Sequence, residues 1–302
     1  MATVELPRRP RLGLLNAAVS ALALGAIVWW AVRQHAPHVP LNPRSLGDLA
    51  AALAVYACAT ALRGERWHRI LAREGAARGR GESNRLILVG YMGNNTLPAR
   101  AGDFMRVLLF GGRRRVVLGT VLAERVLDAV ALVGIFAVVV VAKGLGFGPL
   151  PYVLGAVGGV VVLAAAALLV PGRGLLTRAR DWLRPVLGAT RGLASAYGAV
   201  LLAGSLALWC CEASVYLLVG HAVGVPLTAA QALYVMALTN LSMLVPAAPG
   251  YVGTFDAAVL LALRSLHLPA LGYLLVLRFV LFVPITVAGF CIYIARYARR
   301  RA

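Results

Sequence analysis

The chain has almost no lysine. Lys143 stands alone among 30 basic residues, so arginine carries nearly all the positive charge. Acids are scarce, 11 in 302 residues, and histidine scarcer, with five scattered copies that form no metal-ligand cluster. The four cysteines, Cys58, Cys210, Cys211 and Cys291, fall in apolar stretches and form no CxxC pair. They read as small packing residues, which excludes a disulfide framework or a thiolate metal site. Short alternating strands are missing too, which excludes a β-barrel. The first apolar segment, about 12–32, lacks a small-residue cleavage site before His35 and is read as a span, not a leader.

What the chain has is hydrophobicity. It is 61% hydrophobic with a mean hydropathy of +0.81, which indicates an all-α polytopic membrane protein. A net charge of +19 in a soluble protein would suggest nucleic acid. Here it reads as positive-inside topology and attraction to anionic headgroups, with no nucleic acid and no cofactor expected.

Full spans are expected at about 12–32, 47–62, 117–142, 150–171, 198–220 and 270–294. Two further apolar stretches, about 86–110 and 229–263, break in the middle with Pro, Gly and Asn. The limbs of the first break are about a dozen residues, too short to span; those of the second are nearer 17 and 13. Broken backbone at membrane depth survives only against protein or a water-filled cavity, and paired breaks in the two halves of a chain point to a transport site. Both stretches are therefore read as re-entrant hairpins. With them, 24 basic residues fall on one side and four on the other (Arg33, Arg44, Lys143 and Arg264), which places both termini in the cytoplasm. The layout is one transmembrane domain built as an inverted repeat, with halves at about 1–146 and 147–302. A short amphipathic stretch in the 173–191 loop suits either the headgroup layer or an ordinary basic loop, and Gly155-x-x-x-Gly159 suits close helix packing.

Charge within these segments is costly, at least about 2.5 kcal/mol for Asp or Arg on insertion scales. Yet Asp103, Glu124, Asp128, Glu212 and Asp256 all lie in or beside them. Asp103 precedes Arg125 by 22 residues, and Asp256 precedes Arg278 by the same interval. Both acids open the second limb of a hairpin, near Gly102 and near Gly253-Thr254, where a helix N-terminus presents free N–H groups. Thr254 is a candidate N-cap. Arginine stays charged when buried and grips phosphate through a two-pronged fork, so Arg125 and Arg278 are expected to line a midplane site. Glu124 and Asp128 either neutralise Arg125 or Arg278 or take part in proton handling. Glu212 either carries a coupled proton or pairs with Arg278. Asn94, Asn95, Thr96, Asn240 and Ser242 supply polar atoms at the breaks, where capping free backbone is the simplest role.

Three blocks together carry a family resemblance. They are Asn95-Thr-Leu-Pro98-Ala-Arg100-Ala-Gly102-Asp103-Phe-Met-Arg106; Glu124-Arg125-Val-Leu-Asp128; and Pro249-Gly250-Tyr-Val-Gly253-Thr254-Phe-Asp256, followed by Arg278 and Pro284. From about residue 12 to 294 the chain resembles the lysylphosphatidylglycerol synthase/flippase transmembrane family, the membrane half of multiple peptide resistance factors. The family often has Glu where this chain has Asp103 and Asp256. The resemblance implies lipid translocation from the inner to the outer leaflet of the cytoplasmic membrane. Fused members carry a soluble aminoacyl-transferase domain after the membrane part. This chain ends at Ala302, so lipid lysylation is not expected of it.

The expected cargo is an anionic phospholipid or a polyprenyl-phosphate glycolipid. Arg125 and Arg278 would hold its headgroup and Arg100 and Arg106 would collect it, with Asn95, Pro98, Gly102, Asp103, Gly250, Gly253, Thr254 and Asp256 shaping the site. A separate synthase or glycosyltransferase and a homodimer are open partner roles. Two other functions stay open: a membrane-embedded transferase acting on a lipid phosphate, and a scaffold that binds lipid without moving it.

Overall fold

The computed structural model describes residues 42–98, 100–144, 192–244 and 248–298. The expected spans at 12–32 and 150–171, the 173–191 stretch and Gly155-x-x-x-Gly159 lie outside them. Among the described residues there are helices and no strands. Eight α-helices run α1 Pro43–Arg73, α2 Arg80–Thr96, α3 Ala101–Phe110, α4 Arg114–Lys143, α5 Ala196–Ala222, α6 Ala229–Ser242, α7 Thr254–Ser265 and α8 Leu271–Tyr293. Four of them, α1, α4, α5 and α8, are long and apolar enough to cross a membrane. The chain is a multi-pass membrane protein.

Local chemistry sets the helix starts. Asn42 caps α1 by accepting from the Ser45 N–H at 2.8 Å, with Pro43 at the first helical position. Thr228 opens α6 in a capping box: its hydroxyl accepts from Gln231 N–H, and its own N–H donates to Gln231 Oε1 at 2.9 Å. At α7 the expectation fails by one residue. Gly253 takes the cap position with φ 89°, Thr254 is already helical, and its hydroxyl donates back to the Tyr251 carbonyl at 3.2 Å. A conformation with φ near 89° favours glycine over threonine.

α1 is longer than its apolar stretch. It continues through Arg63, Arg66 and Trp67, all buried, before ending at Arg73. The segment expected to be loop from 63 is therefore helix for another three turns. Trp67 Nε1 donates to Thr120 Oγ1 of α4 at 3.0 Å, so this extension is core, not surface.

Both broken stretches form helix pairs. The first pair, α2 and α3, meets so closely that a Cβ on Gly93 would sit 2.6 Å from the Gly102 Cα. A Cβ on Gly102 would collide with the Gly90 carbonyl. The two ends of this pair come back together: Arg113 Nη1 donates to the Glu74 carbonyl at 3.2 Å, and the Arg78 guanidinium lies over the Phe110 ring at 5.0 Å. In the second pair, Tyr234 near the start of α6 meets Ser265 at the end of α7, with 3.3 Å between their hydroxyls.

α1 and α5 are antiparallel neighbours. Arg73 lies over Tyr197 (4.5 Å), Arg66 Nη1 reaches Ser205 Oγ (2.6 Å), and Arg63 pairs with Glu212. The α2–α3 pair thus starts from the Arg73 end of this couple, and the α6–α7 pair from the Ala222 end. Each pair also packs on the last long helix of the opposite half: α2 on α8, and α6 on α4. Gly289 of α8 permits the first of these contacts, since a Cβ there would lie 2.6 Å from Met92 Cβ. The larger apolar core joins α4, α5, α6, α7 and α8 around Phe136, Tyr216, Tyr234 and Phe255; a second, around Trp67 and Leu86, ties α1 to α2, α3 and α4.

Candidate functional site

Each break puts a carboxylate at the third position of a short helix, and each carboxylate takes a two-pronged grip from an arginine 22 residues on. Arg125 donates to Asp103 through Nε (3.1 Å) and Nη2 (2.8 Å). Arg278 donates to Asp256 through the same two nitrogens, at 2.6 and 2.9 Å. This fork geometry is the strong form of the carboxylate–guanidinium pair. Asp256 also accepts from the Gly253 N–H at 2.9 Å, so it occupies the helix N-terminus as expected. Asp103 is drawn toward arginines instead: Arg106 at 3.4 Å and Arg100 at 3.8 Å share it with Arg125.

Around Asp103 a wider network is buried. Arg106 Nη1 meets Glu124 at 3.0 Å and lies over the Trp67 ring at 4.6 Å. Arg66 meets Asp128 at 2.8 Å and Glu124 at 3.6 Å. Arg125 Nη1 reaches Asp128 at 3.6 Å. Glu124 and Asp128 thus neutralise Arg66, Arg106 and Arg125, and neither meets Arg278. Glu212 pairs with Arg63 and accepts from Asn240 Nδ2 at 3.4 Å, not from Arg278. Arg106 is buried with its charge paired, so it presents no guanidinium at a surface for collecting headgroups.

Between the two breaks lies a cavity of about 70 Å³. Its polar wall is Arg63, Arg100, Arg125, Asp128, Glu212, Asn95 and Asn240; its apolar wall includes Tyr91, Trp209, Tyr251 and Phe282. The volume suits a handful of waters and is smaller than a lipid headgroup. The breaks touch across it. Arg100 Nη1 donates to the Met243 carbonyl at 2.9 Å, and its guanidinium lies 5.8 Å from the Tyr251 ring centre. Arg100 and Tyr251 both hold left-handed backbone, with φ of 55° and 54°, a conformation non-glycine residues adopt at a cost.

Arg125, Arg100 and Asn95 thus meet at one cavity, as does Glu212. Arg278 is not part of its wall. It sits behind Phe282 and Phe255, with ring centres at 5.0 and 5.5 Å, and donates through Nη1 to the Gly250 carbonyl at 3.2 Å. It holds the second break in shape instead of facing the hollow. Gly102, Asp103 and Arg106 lie beside Arg125 on its other flank, and Gly253, Thr254 and Asp256 stay with Arg278. Asn95 Nδ2 donates to Thr286 Oγ1 of α8 at 2.8 Å, two residues past Pro284. Asn240 joins Glu212, Tyr216 and the Met236 carbonyl, a wider role than backbone capping.

Sequence reasoning missed Arg63, Arg66, Tyr91 and Trp209. The first two had a signal. Ala59, Arg63, Arg66 and Ile70 fall at helical spacing, and all four are buried, so the apolar face of α1 continues through the arginines. Arg63 is flanked by Trp209 (4.9 Å) and Tyr91 (5.8 Å), rings whose faces attract a buried guanidinium.

The family sequence model described as the lysylphosphatidylglycerol synthase TM region matches residues 14–289. The chain is also similar to a protein named glycosyltransferase AglD from Haloferax volcanii, 28% identical over 279 aligned positions. That alignment covers 73% of this chain and 44% of the relative, so the chain spans less than half the relative's length. No solved structure matches. With the match running through both breaks and all the paired charges, the chain belongs to the lysylphosphatidylglycerol synthase transmembrane-region family.

Proposed function

We propose that this protein translocates a lipid with an anionic or sugar-linked headgroup across the cytoplasmic membrane, without itself making the lipid. The observation that carries the reading is the buried, arginine-walled cavity between two mutually touching helix breaks. A headgroup enters this chamber while its acyl chains stay in the bilayer, and the two halves of the molecule rock to expose the chamber to one leaflet and then the other. At about 70 Å³ the chamber is smaller than a headgroup, so it must widen to admit one.

Several features favour the inverted repeat that this mechanism needs. The ends of each broken pair meet, as re-entrant hairpins require. The pairs start from opposite ends of the antiparallel α1–α5 couple. The Asp103–Arg125 and Asp256–Arg278 forks repeat each other nitrogen for nitrogen. Removing Arg63, Arg66, Arg100 and Arg106 from the loop count leaves 20 basic residues against four, which still supports cytoplasmic termini. The family supports lipid as cargo, and similarity to a protein named a glycosyltransferase adds a lipid-linked sugar to the candidates. The same name favours a second reading, a membrane-embedded transferase acting on a lipid phosphate.

The test is reconstitution into vesicles with fluorescent phosphatidylglycerol in one leaflet. Leaflet exchange above empty vesicles, lost in Arg125→Ala, is the expected result. Equal exchange in the wild type and the variant would remove Arg125 from the mechanism. No exchange, together with sugar transfer to a polyprenyl phosphate by the purified protein, would favour the transferase.

A further inference from the structure

We infer that the chamber is built for a lipid phosphodiester bearing one negative charge, and selects it against diphosphate lipids; this rests on the translocation reading above. Five guanidinium groups, those of Arg63, Arg66, Arg100, Arg106 and Arg125, face four carboxylates, those of Asp103, Glu124, Asp128 and Glu212. Arg278 and Asp256 balance each other separately. The buried ensemble therefore carries one positive charge more than it neutralises. Among the described residues no further carboxylate joins this network. The apolar runs at 12–32 and 150–171 contain no acid, and the two acids outside the described residues, Glu5 and Asp181, fall beyond those runs beside arginines.

The orphaned atoms point the same way. Among the described residues, Arg63 Nε, Arg100 Nε and Trp209 Nε1 are buried without a hydrogen-bond acceptor, and all three residues wall the cavity; the orphaned acceptor on that wall, Asp128 Oδ1, already faces Arg66 Nη1 at 2.8 Å. Arg63 and Trp209 are each at least 95% buried. Each of these orphaned nitrogens can only donate. A ligand that brings acceptor oxygens and one negative charge completes both the hydrogen bonding and the charge balance. A phosphodiester does both. A diphosphate brings two or more charges and leaves the excess buried and unmatched, which is costly in this setting. An uncharged diacylglycerol supplies neither charge nor enough acceptors.

The excess can be tuned without touching the orphan donors. Asp128→Asn raises it to two. The double variant Arg106→Gln/Glu124→Gln, at a pair off the cavity wall, removes one charge of each sign and leaves it at one. Binding to the purified full chain in detergent is measured with four probes: dihexanoyl phosphatidylglycerol, farnesyl diphosphate, dihexanoylglycerol, and glycerophosphoglycerol, the same headgroup without chains. The wild type should favour the phosphatidylglycerol over farnesyl diphosphate by at least about tenfold. Asp128→Asn should shift that ratio toward the diphosphate by about tenfold or more, and the double variant should keep the wild-type ratio. Dihexanoylglycerol should bind weakly. Tighter binding of farnesyl diphosphate by the wild type, or a ratio that Asp128→Asn leaves unmoved, overturns the inference while vesicle exchange still stands. Glycerophosphoglycerol binding as tightly as the lipid overturns the assignment to a lipid. Absence of binding to any charged probe, with no exchange in vesicles, removes the inference and the translocation reading together.

Discussion

Arg125 reaches Asp103 with two parallel hydrogen bonds, yet the two residues are not equally dependent on each other. Asp103 has Arg106 and Arg100 within 4 Å as further partners, whereas among the described residues Arg125 has only Asp128 as a second acid, at 3.6 Å. Removing the acid therefore strands more charge than removing the base. Asp103→Ala should lower stability by about 3 kcal/mol or more, and Arg125→Ala by clearly less. Thermal unfolding in detergent with an intrinsic-fluorescence readout ranks the two variants; the reverse order would contradict the charge network.

The Arg63–Glu212 pair joins α1 to α5, and both residues are buried. Losing one partner leaves an uncompensated buried charge, which costs about 3–5 kcal/mol. Replacing both by apolar residues of similar volume removes the charge altogether. Arg63→Met and Glu212→Met should each destabilise strongly, and the double variant should recover most of the loss. A double variant as unstable as the sum of the singles would mean that the pair itself holds the helices together.

Arg100 pays a backbone cost to clasp the second break, with φ 55° and a hydrogen bond to the Met243 carbonyl. Arg100→Gly relieves the backbone, and Arg100→Ala does not. Both lose the clasp, so both should change the rate of leaflet exchange in vesicles. The alanine variant should also be less stable than the glycine variant by about 1 kcal/mol, measured as the difference between their thermal midpoints.

Three glycines separate close packing from backbone geometry. Gly102→Ala drives a methyl into the Gly90 carbonyl and should cost about 1–3 kcal/mol, or more if the pair cannot part. Gly253→Ala meets open space but must hold φ 89°, for about 1–2 kcal/mol. Gly134→Ala, in mid-helix with nothing within 4 Å, should be neutral or slightly stabilising. The order of thermal midpoints, 134 above 253 and 253 at or above 102, is the check.

The proposal that the two broken pairs enter from opposite sides can be tested by labelling. In a variant freed of Cys58, Cys210, Cys211 and Cys291, single cysteines at Gly79 and Thr228 mark the starts of the two broken pairs. A membrane-impermeant maleimide applied to intact cells should label position 228 and not 79. Labelling of both from outside would overturn the inverted repeat.

Much of this arrangement can be read from the chain before any coordinates. The Pro, Gly and Asn at 93–102 and 246–253 announce breaks because backbone there cannot continue a helix. The shared 22-residue interval announces two equivalent acid–base pairs, since a short helix followed by a turn returns the chain to its start after about that distance. Arg63 and Arg66 are harder to see. Local hydropathy falls to the level of a loop there, and only the helical spacing of buried positions betrays them. Burial of those arginines depends on Glu212, Asp128 and Ser205, which are 62 to 149 residues away, so no local window registers it. Arg278 shows the opposite failure. Its symmetry with Arg125 suggests the same exposure to the chamber, but Phe255 and Phe282 screen it, and symmetry of spacing does not dictate which aromatic side chains intervene.

The unequal tally of five guanidiniums to four carboxylates has an electrical corollary. Arginine does not give up its proton under physiological conditions, so with its four carboxylates ionised the chamber is a unit cation. Filled with a monoanion it becomes neutral, and its loaded transit is blind to voltage. The vacant return step alone feels the field, with about 2.3 kcal/mol per 100 mV acting on a charge that crosses the whole of it. An energised membrane would then set the pace of resetting the carrier, and collapsing the potential would slow or hasten turnover without altering how tightly cargo is held.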